Sequence, residues 1–158
     1  MPVKQVGIRR AVAADAAALN QVRSETPGSF SPTRVLERHL VEPAVYTYLA
    51  EDEVPFGFVT VGPATDLEQA GLGEIREWFV SANYQQRGYG RKLLVHGLTV
   101  LKRRMCDSAL IWLPLEVTRP MDVLLQHGFI AYPAQRLVNV GEQATTEQAY
   151  LKDLGDYF

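Results

Sequence analysis

Cysteine is nearly absent: Cys106 is the only one in 158 residues, so the chain cannot form an internal disulfide or a thiolate metal cluster. The three histidines, His39, His96 and His127, are scattered without metal-ligand spacing, and no metal is expected. Long apolar runs are also missing. The longest, Ala109 to Leu115, contains Pro114 and falls far below the roughly 18 residues that span a bilayer, so no membrane partner is expected. Neither sign of charge dominates, with 16 Lys and Arg against 18 Asp and Glu and a net charge of −2. That balance argues against a nucleic-acid surface and leaves room for small cationic partners. Met1 to Arg10 is charged and alternating rather than apolar, so no signal peptide is read and a cytoplasmic location is expected.

What is present is the composition of a globular protein, 47% hydrophobic and 22% charged. The length suits one domain over residues 1–158 with a self-sufficient core. Lys4 to Arg9 alternates like a strand, and after Asp15 the residues Ala18, Leu19 and Val22 recur at helical spacing. Beyond a Pro/Gly/Ser loop from Thr26 to Pro32, Val35, Leu36 and Leu40 predict a second, short helix before Pro43. Ala44–Ala50 and Phe56–Val61 predict a hairpin, and Glu74–Val80 a third central strand. Leu94, Leu98 and Leu101 trace one face of the clearest helix, Gly90–Arg104, whose basic end Lys102-Arg103-Arg104 complements the helix dipole. Ala109–Val117 reads as a strand buried on both faces. Thr118 is expected to cap a helix in which Met121, Leu124 and Leu125 share a face, closed by a left-handed Gly128. Leu137–Val140 and Gln148–Leu154 read as two late strands.

The chemically informative segment is Gln85-Gln86-Arg87-Gly88-Tyr89-Gly90-Arg91, placed between an apolar strand and the clearest helix. Its glycines permit a tight turn, and the free amides at the helix start favour an anion, with phosphate the natural guest. Two nucleotide-binding patterns fail on spacing. A dinucleotide fingerprint needs glycine where Leu93 stands, and a P-loop needs Gly-Lys-Ser/Thr where Gly90-Arg91-Lys92 stands.

Gln85-x-x-Gly88-x-Gly90, followed by a buried strand and a short helix ending in His127-Gly128-Phe129, resembles the GNAT superfamily of N-acetyltransferases, and the order of elements agrees from Gln5 to about Leu154. The resemblance implies an α/β fold: a mixed, mostly antiparallel sheet of six or seven strands, flanked by about four helices and splayed between central strands 4 and 5. It also implies acetyl-CoA as cosubstrate and transfer of its acetyl group to a primary amine, by direct attack in a ternary complex. The acceptor would be a small molecule or a peptide. The expected cofactor loop is Gln85, Gln86, Arg87, Gly88, Tyr89, Gly90, Arg91 and Lys92, its amides cradling pyrophosphate and its cations adding charge. The strand end Trp78, Phe79 and Val80 would pair through its backbone with the pantetheine arm.

An amine near pKa 10.4 must lose a proton before it attacks, so a general base is wanted. Glu74 lies eleven residues before Gln85, where the resemblance implies a carboxylate base, and it is preferred over Glu77. Regular alternation puts the two on opposite strand faces, so only one would face the acceptor. Leu124 and Val117 stand where the family often has tyrosine and asparagine, and no general acid is assigned. That departure keeps a second reading, a non-catalytic sensor of acetyl-CoA or CoA. The acceptor pocket is expected from the Ser24–Arg34 loop, the following helix and the turn near Gly141–Thr146, with Glu25, Glu37 and Glu42 attracting a cationic amine. An edge strand near the carboxyl terminus would permit a homodimer.

Overall fold

A computed structural model describes residues 6–26, 34–67, 69–116, 120–140 and 142–155. Seven strands, β1 (Gly7–Arg10), β2 (Tyr46–Glu51), β3 (Pro55–Pro63), β4 (Leu72–Val80), β5 (Ser108–Pro114), β6 (Ile130–Val140) and β7 (Gln143–Asp153), form one sheet in the order β1-β2-β3-β4-β5-β7-β6. Every pair is antiparallel except β4 with β5. That parallel step needs a long crossover, supplied by α2 (Tyr89–Arg103).

The sheet centre is covered on both faces, and β3 is accordingly buried from Phe56 to Gly62. Helix α1 (Ala16–Glu25) packs on one face through Leu19 and Val22 against Leu49, Phe58 and Phe79. Helix α2 packs on the other through Leu93, Leu94, Leu98 and Leu101 against Val59, Val61, Ile75 and Ile111. Gly97 sits on this helix where it crosses β3, and a Cβ there would lie 3.1 Å from both Val59 and Val61.

Two features of β4 set the geometry of the site. Its pairing with β5 covers only Leu72–Ile75 against Ser108–Ile111, although both strands run on, to Val80 and Pro114. Past Ile75 the strands part, leaving a wedge. On its other side β4 carries a bulge: Thr60 opposes Glu77 and Val61 opposes Ile75, so Arg76 is the extra residue.

Most expected elements are present, with four differences. The expected second helix is a five-residue 3-10 turn, Glu37–Val41; the stretch before Pro43 is too short for α-helical nucleation, yet still buries Val35 and Leu40. Three α-helices are therefore described where about four were expected. In α3 (Met121–Gln126) Leu124 is buried but Leu125 is 58% exposed, since neighbouring helical residues point about 100° apart. The capping role given to Thr118 falls outside the described residues. The fifth strand stops at Pro114, and Val117 also lies outside the described residues. The late hairpin is much longer than expected, because Ile130–Arg136 pairs with β7 despite Pro133, across an irregularity between Ala131 and Gln135. Gly128 is left-handed, with φ of 86°.

Replacing Gly97 by leucine forces α2 away from β3, so unfolding in urea is expected to show a loss of about 1–3 kcal/mol, the range of overpacked cores.

Candidate active site

The loop after β4 begins with a 3-10 turn at Ala82–Tyr84 and then places Gln86 and Gly88 in the left-handed region, with φ of 62° and 87°. Gly88 is the N-cap of α2, no side chain caps the helix, and a Cβ at Gly88 would meet nothing within 4 Å. The first-turn amides therefore have neither an intrahelical acceptor nor a side-chain cap, the arrangement that receives an anion. Lys92 N–H donates to the Gly88 carbonyl at 3.1 Å, which starts the helix.

Side chains brace this loop from below. Trp78 Nε1–H donates to the Gly90 carbonyl at 2.8 Å, and Gln85 Nε2 donates to the Val80 carbonyl at 2.9 Å. Phe56 stacks on Tyr84 at 3.9 Å and meets Tyr89 edge-on at 4.8 Å. Arg87 lies over the Tyr84 ring and Lys92 over the Tyr89 ring, each at 5.6 Å, while Arg91 bonds Gln126 of α3. Thus Gln85 and Trp78 act as struts, and Arg87, Arg91 and Lys92 carry the loop's charge. Phe79 is buried on the α1 side and Val80 on the α2 side. At the wedge, the Ser81 hydroxyl after β4 and the Trp112 indole N–H on β5, one residue past the last rung, are buried without a hydrogen-bond partner among the described residues.

A cavity of about 560 Å³ opens on the α1 face of the sheet, lined by Val35, Leu40, Thr47, Thr60, Glu74, Arg76, Glu77, Arg136 and Val138 among others. Glu74 and Glu77 both line it, which overturns the expectation that only one could. The bulge at Arg76 shifts the alternation: Ile75 and Trp78 pack on the α2 side, and both glutamates point to the opposite one. Arg76 itself turns along β3, donating from Nη2 to the Pro63 carbonyl at 2.7 Å.

The two carboxylates sit in different surroundings. Glu74 is buried in the segment still paired with β5 and accepts from Thr65 N–H at 3.2 Å. Burial pushes its pKa up, against the Thr65 bond and the nearby Arg136 and Arg76. Glu77 lies past the last β4–β5 rung, and burial pushes its pKa up to about 7, against the pull of Arg23 and Arg76. Arg23, on α1, approaches Glu77 Oε2 with Nε at 3.7 Å.

The far wall is β6 rather than the expected turn, since Gln143–Thr146 belongs to β7 and Gly141 lies outside the described residues. Arg136 anchors it. Its Nε donates to Glu147 at 2.7 Å, its Nη1 to Asp66, and its guanidinium lies 4.5 Å over Trp112. Glu42 lines the cavity, while Glu25 accepts from Gln21 on the surface of α1 and Glu37 is exposed outside it. Arg23, Arg76, Thr65 and Arg136 were missed. Arg23 alone left a trace, a charge on the apolar stripe of Leu19 and Val22. No group of three or more His, Cys, Asp or Glu among the described residues could hold a metal.

The family profile described as Acetyltransferase (GNAT) family matches residues 16–129. No curated protein matches the chain. A ribosomal-protein-alanine N-acetyltransferase from Brucella melitensis superposes with a TM-score of 0.76 at 20% identity, covering 94% of this chain and 99% of that one. A candidate acetyltransferase from Salmonella typhimurium, solved with its cofactor acetyl-CoA, gives 0.76 at 18% identity over 98% and 96%. A PaiA N-acetyltransferase from Thermoplasma acidophilum, solved with coenzyme A, gives 0.73 at 13% identity over 94% and 99%. These structures share the fold.

Glu77 gives a stability prediction whose sign is fixed by its shift. Its folded pKa, about 7, exceeds the usual 4.5, so the stabilisation is complete below pH 4.5 and is lost as pH rises through 7. Denaturant unfolding should therefore show the unsubstituted protein losing up to about 3 kcal/mol over that window, relative to Glu77→Gln.

Proposed function

We propose a function from one premise: the chain belongs to the acetyltransferase (GNAT) family. It transfers the acetyl group of acetyl-CoA to a primary amine by direct attack in a ternary complex. The observation that carries this reading is the course of β4, which bears two carboxylates on the cavity face and ends in a strutted, open helix N-terminus. The donor and acceptor sites would thus be two ends of one strand.

The residues present suit acetyl-CoA. First-turn amides of α2, with Arg87, Arg91 and Lys92, would take the pyrophosphate. Past Ile75 the segment Trp78, Phe79 and Val80 has no rung to β5, and those backbone groups of it that β3, Gln85 and Thr26 do not already engage would bond the amides of the pantetheine arm. When bound, acetyl-CoA supplies an acyl group activated as a thioester. The acceptor would enter from the α1 face, where the carboxyl groups of Glu42, Asp66, Glu74 and Glu77 line the cavity and offer acceptors to an amine.

Glu77 is the proposed base. It lies beside the open wedge, and a pKa of about 7 leaves it partly ionised at neutral pH yet basic enough to take a proton. Glu74, held by Thr65, would support the ammonium before transfer. This inverts the order of preference that the resemblance suggested, and the bulge is the reason. Leu124, fully buried where the resemblance implies a tyrosine, favours a second reading, a CoA-binding sensor without turnover. No helix among the described residues is long and apolar enough to cross a membrane. The proposed setting is the cytoplasm, and a second copy is proposed at the free edge of β6.

Calorimetry with acetyl-CoA, followed by thiol release on adding a panel of amines, tests the two readings. Binding with amine-dependent release supports the transferase; binding without release across the panel supports the sensor. Gly88→Glu, which strains a left-handed position and brings a negative charge to the cradle, should weaken acetyl-CoA binding by about a hundredfold or more, some 3 kcal/mol. Glu77→Gln should retain donor binding and lower turnover by about 10²–10⁴-fold, the usual contribution of a general base. A larger loss in Glu74→Gln would return the base to Glu74.

A further inference from the structure

We propose that Arg23 is a positioning residue for Glu77, a cation carried on α1 that holds the Glu77 carboxylate in place and offsets its burial. This inference rests on the reading of Glu77 as the base.

Among the buried residues of α1, namely Ala16, Leu19, Val22 and Arg23, the last is the one that carries charge. An aliphatic residue would serve packing alone, and a guanidinium out of water is costly unless it meets an anion. Arg23 meets Glu77. The side chains are 10% and 18% exposed and approach to 3.7 Å, beyond hydrogen-bond length. The guanidinium lies 5.8 Å over Phe79, two residues along β4.

The distance separates this pair from a locked one elsewhere in the fold. Arg9 grips Asp15 through two bonds of 2.9 Å and holds its carboxyl below the usual range. At 3.7 Å, Arg23 opposes the desolvation of Glu77 without removing its basicity. The other charges facing Glu77 in the cavity are Arg76 and Glu74 of β4, His39 and Glu42 near the 3-10 turn, Asp66 after β3, and Arg136 of β6. Arg136 is engaged by Asp66 and Glu147, and Arg76 is drawn toward the Pro63 carbonyl.

The placement of Arg23 is itself secured. Three residues on, Thr26 Oγ donates to the Val22 carbonyl at 2.8 Å and reaches the Val80 carbonyl at 3.2 Å. The end of α1 is therefore docked on β4 at two points, Glu77 and Val80.

The test uses the full chain with carbon-13 at the glutamate carboxyls, the Glu77 signal being identified by its loss in Glu77→Gln. Arg23→Met keeps the stem and removes the charge; it should raise the Glu77 titration midpoint by about one unit or more, and lower kcat/KM at pH 7 about fivefold or more by shifting the acid limb of the profile. Arg23→Lys should hold the midpoint within about half a unit and restore most activity. Arg23→Gln provides a second neutral variant if methionine prevents folding. An unchanged midpoint in the neutral variants overturns the proposal, and so does a lysine variant that behaves like the neutral ones, which would mark Arg23 as packing only. The titration is read without substrate. Full turnover in Glu77→Gln would therefore defeat the base assignment separately, while the midpoint still decides the role of Arg23.

Discussion

One extra residue in β4 governs the site. Arg76 has no partner of its own on β3, because Val61 and Thr60 are adjacent while Ile75 and Glu77 are not. Without that insertion, strict alternation would send one of the two glutamates into the apolar layer beneath α2, where an ionised group finds no partner. With it, Ile75 and Trp78 fill that layer, and the cavity gains two carboxylates from one strand. A bulge also bends and twists its strand, and here it falls where β4 leaves β5.

Charge inside the cavity is handled by position. Arg136 is held by Asp66 and Glu147 and rests on Trp112, so it serves as architecture and joins the Thr65–Asp66 segment to the late hairpin. Thr65 in turn holds Glu74. Glu77 has looser company, and burial pushes its pKa up to about 7 against the pull of Arg23 and Arg76. Two carboxylates three residues apart are thus differentiated by their second neighbours, as sites that separate proton affinities require.

The sequence was most legible where local rules and burial agree. The periodicity of Leu94, Leu98 and Leu101 marked α2, and apolar runs marked β3 and β5, because these elements lie at the core. Gly88 and Gly90 marked the loop because turn chemistry is local. The bulge was not legible. It is a property of the β3–β4 register, and neither strand alone signals that Arg76 stands out of step. For the same reason the cavity wall at Arg136 was missed, since Ile130–Arg136 contains Pro133 and becomes a strand only by pairing with β7. The short helix expected at Val35–Leu40 shows the limit of spacing arguments: the apolar positions are buried, but a 3-10 turn suffices to bury them.

Closing the wedge between β4 and β5 would move more than one strand. Strand β5 is bonded along its whole length, from Ser108 to Pro114, to β7, and β7 to β6. Closing the gap would drag that three-stranded block with it or break its rungs. The opening thus borders a block of three bonded strands and not a single free one. A ligand that enters finds its slot already made, with the entropic cost of shaping it met once, at folding, instead of at each encounter.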